Sequence, residues 1–435
     1  MKKRILSACI ILGIAALLAV SVRYTTKQQS VDSAAAFHEN MEDLTIYLAT
    51  DTHFLAPELT DNGAFYNNMI RKGDGKFMPE NEAVNNALIE KVIADHPDAF
   101  ILAGDITFNG ARESHVEMAK RLQIIKDAGI PVLVIPGNHD FTEKRAARFQ
   151  GDSYQLVDSI DATEFLELYG GLGPNDALSR DETSLSYVTE LSPHVRILCV
   201  DVNTVVGLPG ILTQSTLDYV EKELQQAKDD GAYVIGVTHQ TLLVHSELTS
   251  QGMSFIGAEK LQELYEQYGV LLNLSGHMHI QHIAESKDGL TDIATGSVMT
   301  SPNYYAKLEL SKEAVRYEAI PLAVDDVPDF AETSHDFLWA NSLRQGEESL
   351  IADGVDPAEF DNTDSDAYRM AAFFADFNTS YIAGHSDRIP WDDAVLDLWD
   401  KTDTFVPKYF DLVQKEGPRD FTKWMLEEAI TETGL

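Results

Sequence analysis

Two cysteines in 435 residues are too few for a disulfide framework. Cys9 sits in an N-terminal apolar run and Cys199 in the strand-like stretch Arg196-Ile197-Leu198-Cys199-Val200, so a bond between the two is rejected. In a chain this large that does not exclude export. Scarce thiolate also argues against Cu(I) and iron–sulfur chemistry. Basic residues are the second shortage: 33 Lys and Arg stand against 70 Asp and Glu, a formal charge of −37. A field of that sign disfavours a nucleic acid duplex or an anionic lipid surface as an extended partner, and it concentrates cations. The imbalance is steepest from Asp325 on, where 26 acidic residues meet 8 basic ones, and a solvated acidic surface accounts for it. No repeat of fixed period is present.

What is there begins with Lys2-Lys3-Arg4 and then Ile5 to Val22, 18 residues without a charge. A basic flank followed by an apolar segment at the short end of spanning length reads as an uncleaved anchor or a cleaved signal. The basic end stays in the cytoplasm, so the body is expected outside, membrane-anchored or secreted. Ala34-Ala35-Ala36 offers a cleavage site, well beyond the apolar run. Residues 1–43 are therefore a signal or anchor segment with a tether.

Downstream, one short motif organises the reading. Val132-Leu133-Val134-Ile135-Pro136 is a β-branched apolar run that reads as a buried strand, and it ends in Gly137-Asn138-His139-Asp140. Glycine permits a sharp exit from the sheet. Asn138 can offer a carbonyl oxygen to a cation, His139 can move protons near neutral pH, and Asp140 can orient the imidazole. Taken alone, a strand-to-helix turn with a polar cap explains the motif equally well. Four other apolar runs end the same way. Thr45–Thr50 delivers Asp51 and His53, and Ala99–Ala103 delivers Gly104 and Asp105. Ala232–Val237 delivers His239, and Val270–Ser275 delivers Gly276, His277 and His279. In open α/β sheets the carboxyl edge of the strands is where sites are built.

Between these strands, helical spacing at Val84 to Ala94 and Val116 to Ala128 predicts β-α-β-α-β from Leu44 to Ile135. Further helices are predicted over 214–229 and 255–268, and short strands at 291–293, 307–310 and 314–320. Residues 54–83 and 141–191 read as long connections, the first a candidate substrate lid. After Asp325 the pattern turns helical: Met370, Phe373, Phe374, Phe377 and Tyr381 share a face, as do Trp391, Val395, Leu398 and Trp399. Phe421, Trp424 and Met425 predict one last helix. Trp339, Trp391, Trp399 and Trp424 are expected in its core. The division is a catalytic region over 44–325 and a small helical domain over 326–435.

Asp51, His53, Asp105, Asn138, His239, His277 and His279 make two carboxylates, one amide and four imidazoles. Any one of these histidines alone is more often structural. Seven such residues at five strand ends are too many for one ordinary metal, and two ions sharing a carboxylate fit the number. Nitrogen and oxygen ligation suits manganese first, with iron or zinc as alternatives. Paired ions clamp an in-line displacement at phosphorus.

In this order and with these glycines, Asp51-x-His53, Gly104-Asp105, Gly137-Asn138-His139-Asp140, His239 and Gly276-His277-x-His279 resemble the signature of calcineurin-like metallophosphoesterases, over roughly Leu44 to Ile320. The resemblance implies an α/β fold, a four-layer αββα sandwich. It implies one metal on Asp51, His53 and His279 and a second on Asn138, His239 and His277, with Asp105 bridging. His139 would meet the phosphate or leaving group, and Asp140 would support it. The wider layout is similar to bacterial class III cyclic-nucleotide phosphodiesterases and their exported relatives with an extra helical C-terminal domain. That implies a cyclic nucleotide or another small phosphodiester, cleaved by a metal-bridging hydroxide. Phosphomonoesterase or nucleotidase activity is the alternative, and a non-catalytic binding module on the same fold a third. Phe108 stands where purple acid phosphatases place a tyrosine, which argues against that branch. The sequence carries no signal for an oligomeric state.

Overall fold

The computed structural model describes residues 42–142, 144–204, 210–247 and 252–427. The apolar run at 5–22 and most of the tether lie outside the described residues. Among the described residues no helix is long and apolar enough to cross a membrane.

Fifteen strands are described: β1 (Leu44–Ala49), β2 (Ala99–Ala103), β3 (Val132–Ile135), β4 (Ala147–Gln150), β5 (Ser153–Leu156), β6 (Ser179–Arg180), β7 (Tyr187–Ser192), β8 (Val195–Cys199), β9 (Tyr233–Val237), β10 (Leu272–Ser275), β11 (His282–Glu285), β12 (Thr291–Ala294), β13 (Tyr304–Leu310), β14 (Ala314–Pro321) and β15 (Lys423–Glu427). Two sheets hold all but the β4–β5 hairpin. One runs β15-β14-β13-β1-β2-β3 and the other β11-β12-β10-β9-β8-β7-β6. Strands β1, β2 and β3 are parallel, and so are β8, β9, β10 and β12, while the outer strands pair antiparallel.

Strand alternation builds the layers. Ile46, Leu48, Ile101 and Leu133 turn inward and meet Ile197, Ile235, Leu274 and Ile293 of the facing sheet. The alternate residues Tyr47, Phe100, Leu102 and Val134 turn outward. They pack on helices α2 (Asn81–Asp95) and α3 (Arg112–Asp127), which follow α1 (Ala64–Arg71), through Val84, Leu88, Met118 and Leu122. On the far side, after α4 (Ala162–Tyr169), helices α5 (Gln214–Asp230) and α6 (Ala258–Tyr268) cover Leu198 and Val234 with Val220, Leu224, Leu261 and Tyr265. Strands buried on both faces read as unbroken apolar runs, as Ala99–Ala103 and Val132–Ile135 do. This is the four-layer αββα sandwich.

The remaining helices are α7 (Phe330–Ala352), α8 (Asp366–Ile382), α9 (Asp393–Trp399) and α10 (Val406–Glu416), around Phe377, Trp399 and Phe410. Two expectations fail here. Phe421 to Met425 do not begin a helix: Lys423–Glu427 is strand β15, paired antiparallel to β14 with Trp424 opposite Tyr317. Apolar residues at 421, 424 and 425 fit a helical face, but in so short a segment period two fits too, and Trp424 and Leu426 pack on the inter-sheet core. The end of the helical region thus returns to the catalytic sheet. Nor do the four tryptophans share one core. Trp399 is buried, Trp391 sits at the margin, Trp339 donates to Asp376 (2.7 Å), and Trp424 belongs to β15.

Candidate metal centre

Three of the five strand ends, those of β1, β2 and β10, carry strained backbone. Asp51, His53, Asp105, His277 and His279 have positive φ (55°, 40°, 46°, 66° and 55°). Asp and His tolerate this region better than bulky residues, yet each instance costs roughly 1–3 kcal/mol and persists where surrounding structure enforces it. Three glycines make room. A Cβ on Gly104 would lie 2.5 Å from the His239 ring, one on Gly137 2.2 Å from the Asp105 carboxylate, and one on Gly276 2.0 Å from the Thr50 hydroxyl. The glycines before the polar residues are therefore clearance as much as turns.

All seven expected donor residues converge. Asp51, His53, Asp105 and His279 place ligand atoms within 4.8 Å of one another, and Asp105, His239 and His277 form a second such group. The amide oxygen of Asn138 joins the second at 3.2 Å from His239 Nε2. Asp51 Oδ2 is occupied by the Thr50 hydroxyl (2.7 Å) and the His277 backbone N–H (2.9 Å), which leaves Oδ1 facing His279 Nε2 at 3.2 Å. Asp105 is shared: Oδ1 lies 3.3 Å from His239 Nε2, and Oδ2 lies 3.9 Å from His53 Nε2.

These contacts make little sense among protein atoms alone. His239 Nδ1 donates to the Ala103 carbonyl (2.9 Å), so in the neutral ring Nε2 is a lone pair aimed at two acceptor oxygens. His53 Nε2 and His279 Nε2 meet at 3.0 Å, and His53 Nδ1 is buried without a partner. Burial opposes a charge on His239, but the Asp105 carboxylate outweighs it and pushes the imidazole up to about 9. Burial, then the Lys76 ammonium, holds His53 well below its ordinary value. Burial and the neighbouring His239 charge push His277 down to about 4. Burial resists ionisation of Asp105, yet the His239 and His139 imidazoles keep its carboxyl well below the usual range. A site of converging lone pairs that draws in positive charge is what divalent cations fit.

His139 stands at the rim. Its Nδ1 donates to the Phe108 carbonyl (2.7 Å), its backbone N–H donates to Asp105 Oδ1 (2.7 Å), and its Nε2 lies 3.9 Å from Asp105 Oδ2. The orienting role expected of Asp140 is corrected here. The Asp140 carboxylate is fully buried and accepts from the backbone N–H groups of Gly137 (2.8 Å), Ile106 (3.2 Å) and Thr107 (2.9 Å) and from the Thr107 hydroxyl (3.0 Å). It ties the β2 and β3 exits together and makes no hydrogen bond to the His139 ring. Burial and then the Asp105 charge push its carboxyl up to about 7. Thr50 and Thr107 had no signal in the sequence beyond standing next to a strand end.

Two donor sets on one carboxylate, at the carboxyl edge of paired sheets, form a candidate dinuclear metal site. Comparison with known proteins gives the site its family. The calcineurin-like phosphoesterase family matches residues 44–281, more than half of the chain, and this chain belongs to it. It is similar to a protein of Arcobacter nitrofigilis named probable glycerophosphodiester phosphodiesterase GpdQ, at 25% identity over 249 residues, 56% of this chain and 79% of that one. A glycerophosphodiester phosphodiesterase GpdQ of Enterobacter lignolyticus is 26% identical over 188 residues, 43% of this chain and 58% of that one. Among solved structures, a dimetal phosphatase from Danio rerio is 13% identical with a TM-score of 0.46, covering 64% of this chain and 96% of that one. The chain is a metal-dependent phosphoester hydrolase.

Proposed function

We propose that the chain hydrolyses small phosphodiesters, with glycerophosphodiesters and cyclic nucleotides as the two classes to compare, and that it does so outside the cytoplasmic membrane. The observation that carries the reading is the placement of His139 beside a carboxylate shared by two donor sets. Asp51, His53 and His279 would hold one divalent ion, Asn138, His239 and His277 the other, and Asp105 both. Manganese is the first candidate, and iron or zinc suit the same donors. Bound there, the ions would neutralise charge on the non-bridging oxygens and supply a nucleophile from water at neutral pH.

The chain's own residues do the rest. Hydrogen bonding of His139 Nδ1 to Phe108 leaves Nε2 as the nitrogen that faces the site, and 24% of the side chain is exposed, so substrate can reach it. As an imidazolium it can give the Nε2 proton to a leaving oxygen while Nδ1–H stays on the Phe108 carbonyl. A diester with an alkoxide leaving group needs that proton most. The charge of −37 weighs against polyanions as substrates and leaves small esters. The two relatives named as glycerophosphodiester phosphodiesterases support the diester class.

A manganese-loaded protein assayed on glycerophosphodiesters, cyclic nucleotides and matched monoesters should turn over at least one diester class faster than any monoester. Monoesters cleaved far faster than every diester would overturn the phosphodiesterase reading. Full-length protein in the cytosolic fraction of cells would refute export.

A further inference from the structure

Three site histidines are anchored through backbone carbonyls. His239 Nδ1 donates to Ala103 and His139 Nδ1 to Phe108, while His277 Nε2 donates to Gly252 at 3.2 Å. His279 is different. Its Nε2 faces Asp51, and its outer nitrogen, Nδ1, faces the side-chain carboxylate of Asp74, with Oδ2 at 3.6 Å. Asp74 belongs to no strand end. It lies in Gly73-Asp74-Gly75-Lys76, the connection after α1. The Lys76 ammonium grips the same Oδ2 at 2.5 Å from a buried position.

This connection is held from outside the catalytic layers. Asn341, on α7, donates both amide hydrogens, to the carbonyls of Arg71 (3.1 Å) and Gly73 (3.0 Å). Gln345, one turn on, donates to Asn341 Oδ1 (2.7 Å) and fixes the amide's orientation. Leu338 closes over Gly75, where a Cβ would come within 2.5 Å of its Cδ1. Phe77 packs its ring on Phe330 and Phe337, both on α7. A helix of the C-terminal region thus sets the position of a carboxylate beside a metal-site histidine.

We propose that Asp74 is a positioning residue for His279 and that α7 holds it there through Asn341, so that the C-terminal helical region tunes the first metal site. The proposal rests on the two-metal reading above. An imidazole that binds a cation through Nε2 carries its proton on Nδ1. A carboxylate facing that proton fixes the tautomer, aims the ring and makes the nitrogen a better donor. Lys76 keeps Asp74 turned toward His279, its ammonium on the same carboxylate oxygen that faces the imidazole. The other anchored histidines have carbonyl partners in or beside the sandwich itself. Only this one, among the described site histidines, has a side-chain carboxylate partner placed by the C-terminal region.

The test is metal affinity, read without substrate. Metal-free protein titrated with Mn²⁺, followed by calorimetry and by the EPR signal of free ion, should show two binding events. Asp74→Asn should weaken one of them by about 10–100-fold and leave the other unchanged. Asp74→Glu should restore part of the loss. Asn341→Ala should weaken the same event by less, because Leu338 and Phe77 still hold the connection. The Asp74 side chain is 54% exposed, so melting temperatures of both Asp74 variants should match wild type. Asp74→Asn protein that melts like wild type and binds both ions as tightly would overturn the proposal and leave the two-metal reading standing. Wild-type protein that binds fewer than two ions would overturn both.

Discussion

Asp105→Asn should yield a folded protein that has lost nearly all turnover and holds both metal ions poorly. The substitution keeps the shape: an amide oxygen can still accept from the His139 N–H at 2.7 Å, and Asn tolerates the left-handed backbone at φ 46° as well as Asp does. What it removes is the charge. Asp105 Oδ1 faces His239 and Oδ2 faces His53, so one carboxylate serves both donor sets, and no other residue of the centre does. Loss of one oxyanion donor in an active site typically costs about 10²–10³ in turnover. Loss of the shared ligand should cost more than that. Metal content and kcat/KM measured on the same preparation check it. A variant that keeps two ions and most of its activity would contradict the sharing.

His139→Ala should do the reverse: both ions stay and turnover falls by about 10²–10⁴-fold. His139 touches the donor sets through its backbone N–H to Asp105, which alanine retains, while its ring nitrogen Nε2 stands 3.9 Å away. The loss should depend on the leaving group. An aryl oxide leaves without much help and an alkoxide does not, so the drop should be smaller for aryl than for alkyl diesters. Equal drops would leave only charge stabilisation for His139. The ring's orientation is set by the Phe108 carbonyl, so Asp140 variants should act through the connection between β2 and β3 and not through the His139 ring.

Why the centre was readable from the chain and its surroundings were not has a physical basis. Strands of a sandwich are buried on both faces, so an Asp, Asn or His at the end of Ala99–Ala103 or Val132–Ile135 interrupts an apolar run and stands out. Glycines 104, 137 and 276 mark the same places because ring and carboxylate atoms crowd where a Cβ would be. Helix α7 gave no comparable sign. Its buried face includes Ser334, Asn341, Ser342 and Gly346, with Gly346 letting α8 approach so that a Cβ would lie 3.1 Å from the Ala371 Cα. Those residues do not make a 3.6-residue apolar stripe, although the helix is 23 residues long. Strand β15 failed for the opposite reason, since a short segment with apolar residues at 421, 424 and 425 satisfies either period. Asp140 was read from adjacency to His139, but adjacent residues at a turn point apart, and its carboxylate found four donors inside the fold. Asp74 lies in the 54–83 connection, which reads as a candidate substrate lid and carries no sign of a tie to the metal centre. Its partner His279 is about two hundred residues away, and only the fold brings them together.

The central claim is that two metal ions share Asp105. Anomalous diffraction from crystals grown with Mn²⁺ tests it most directly. The account predicts two peaks about 3.5–4 Å apart, one against Asp51, His53 and His279, the other against Asn138, His239 and His277, with Asp105 in contact with both. A single peak under metal-replete conditions, or two peaks without Asp105 between them, would contradict it.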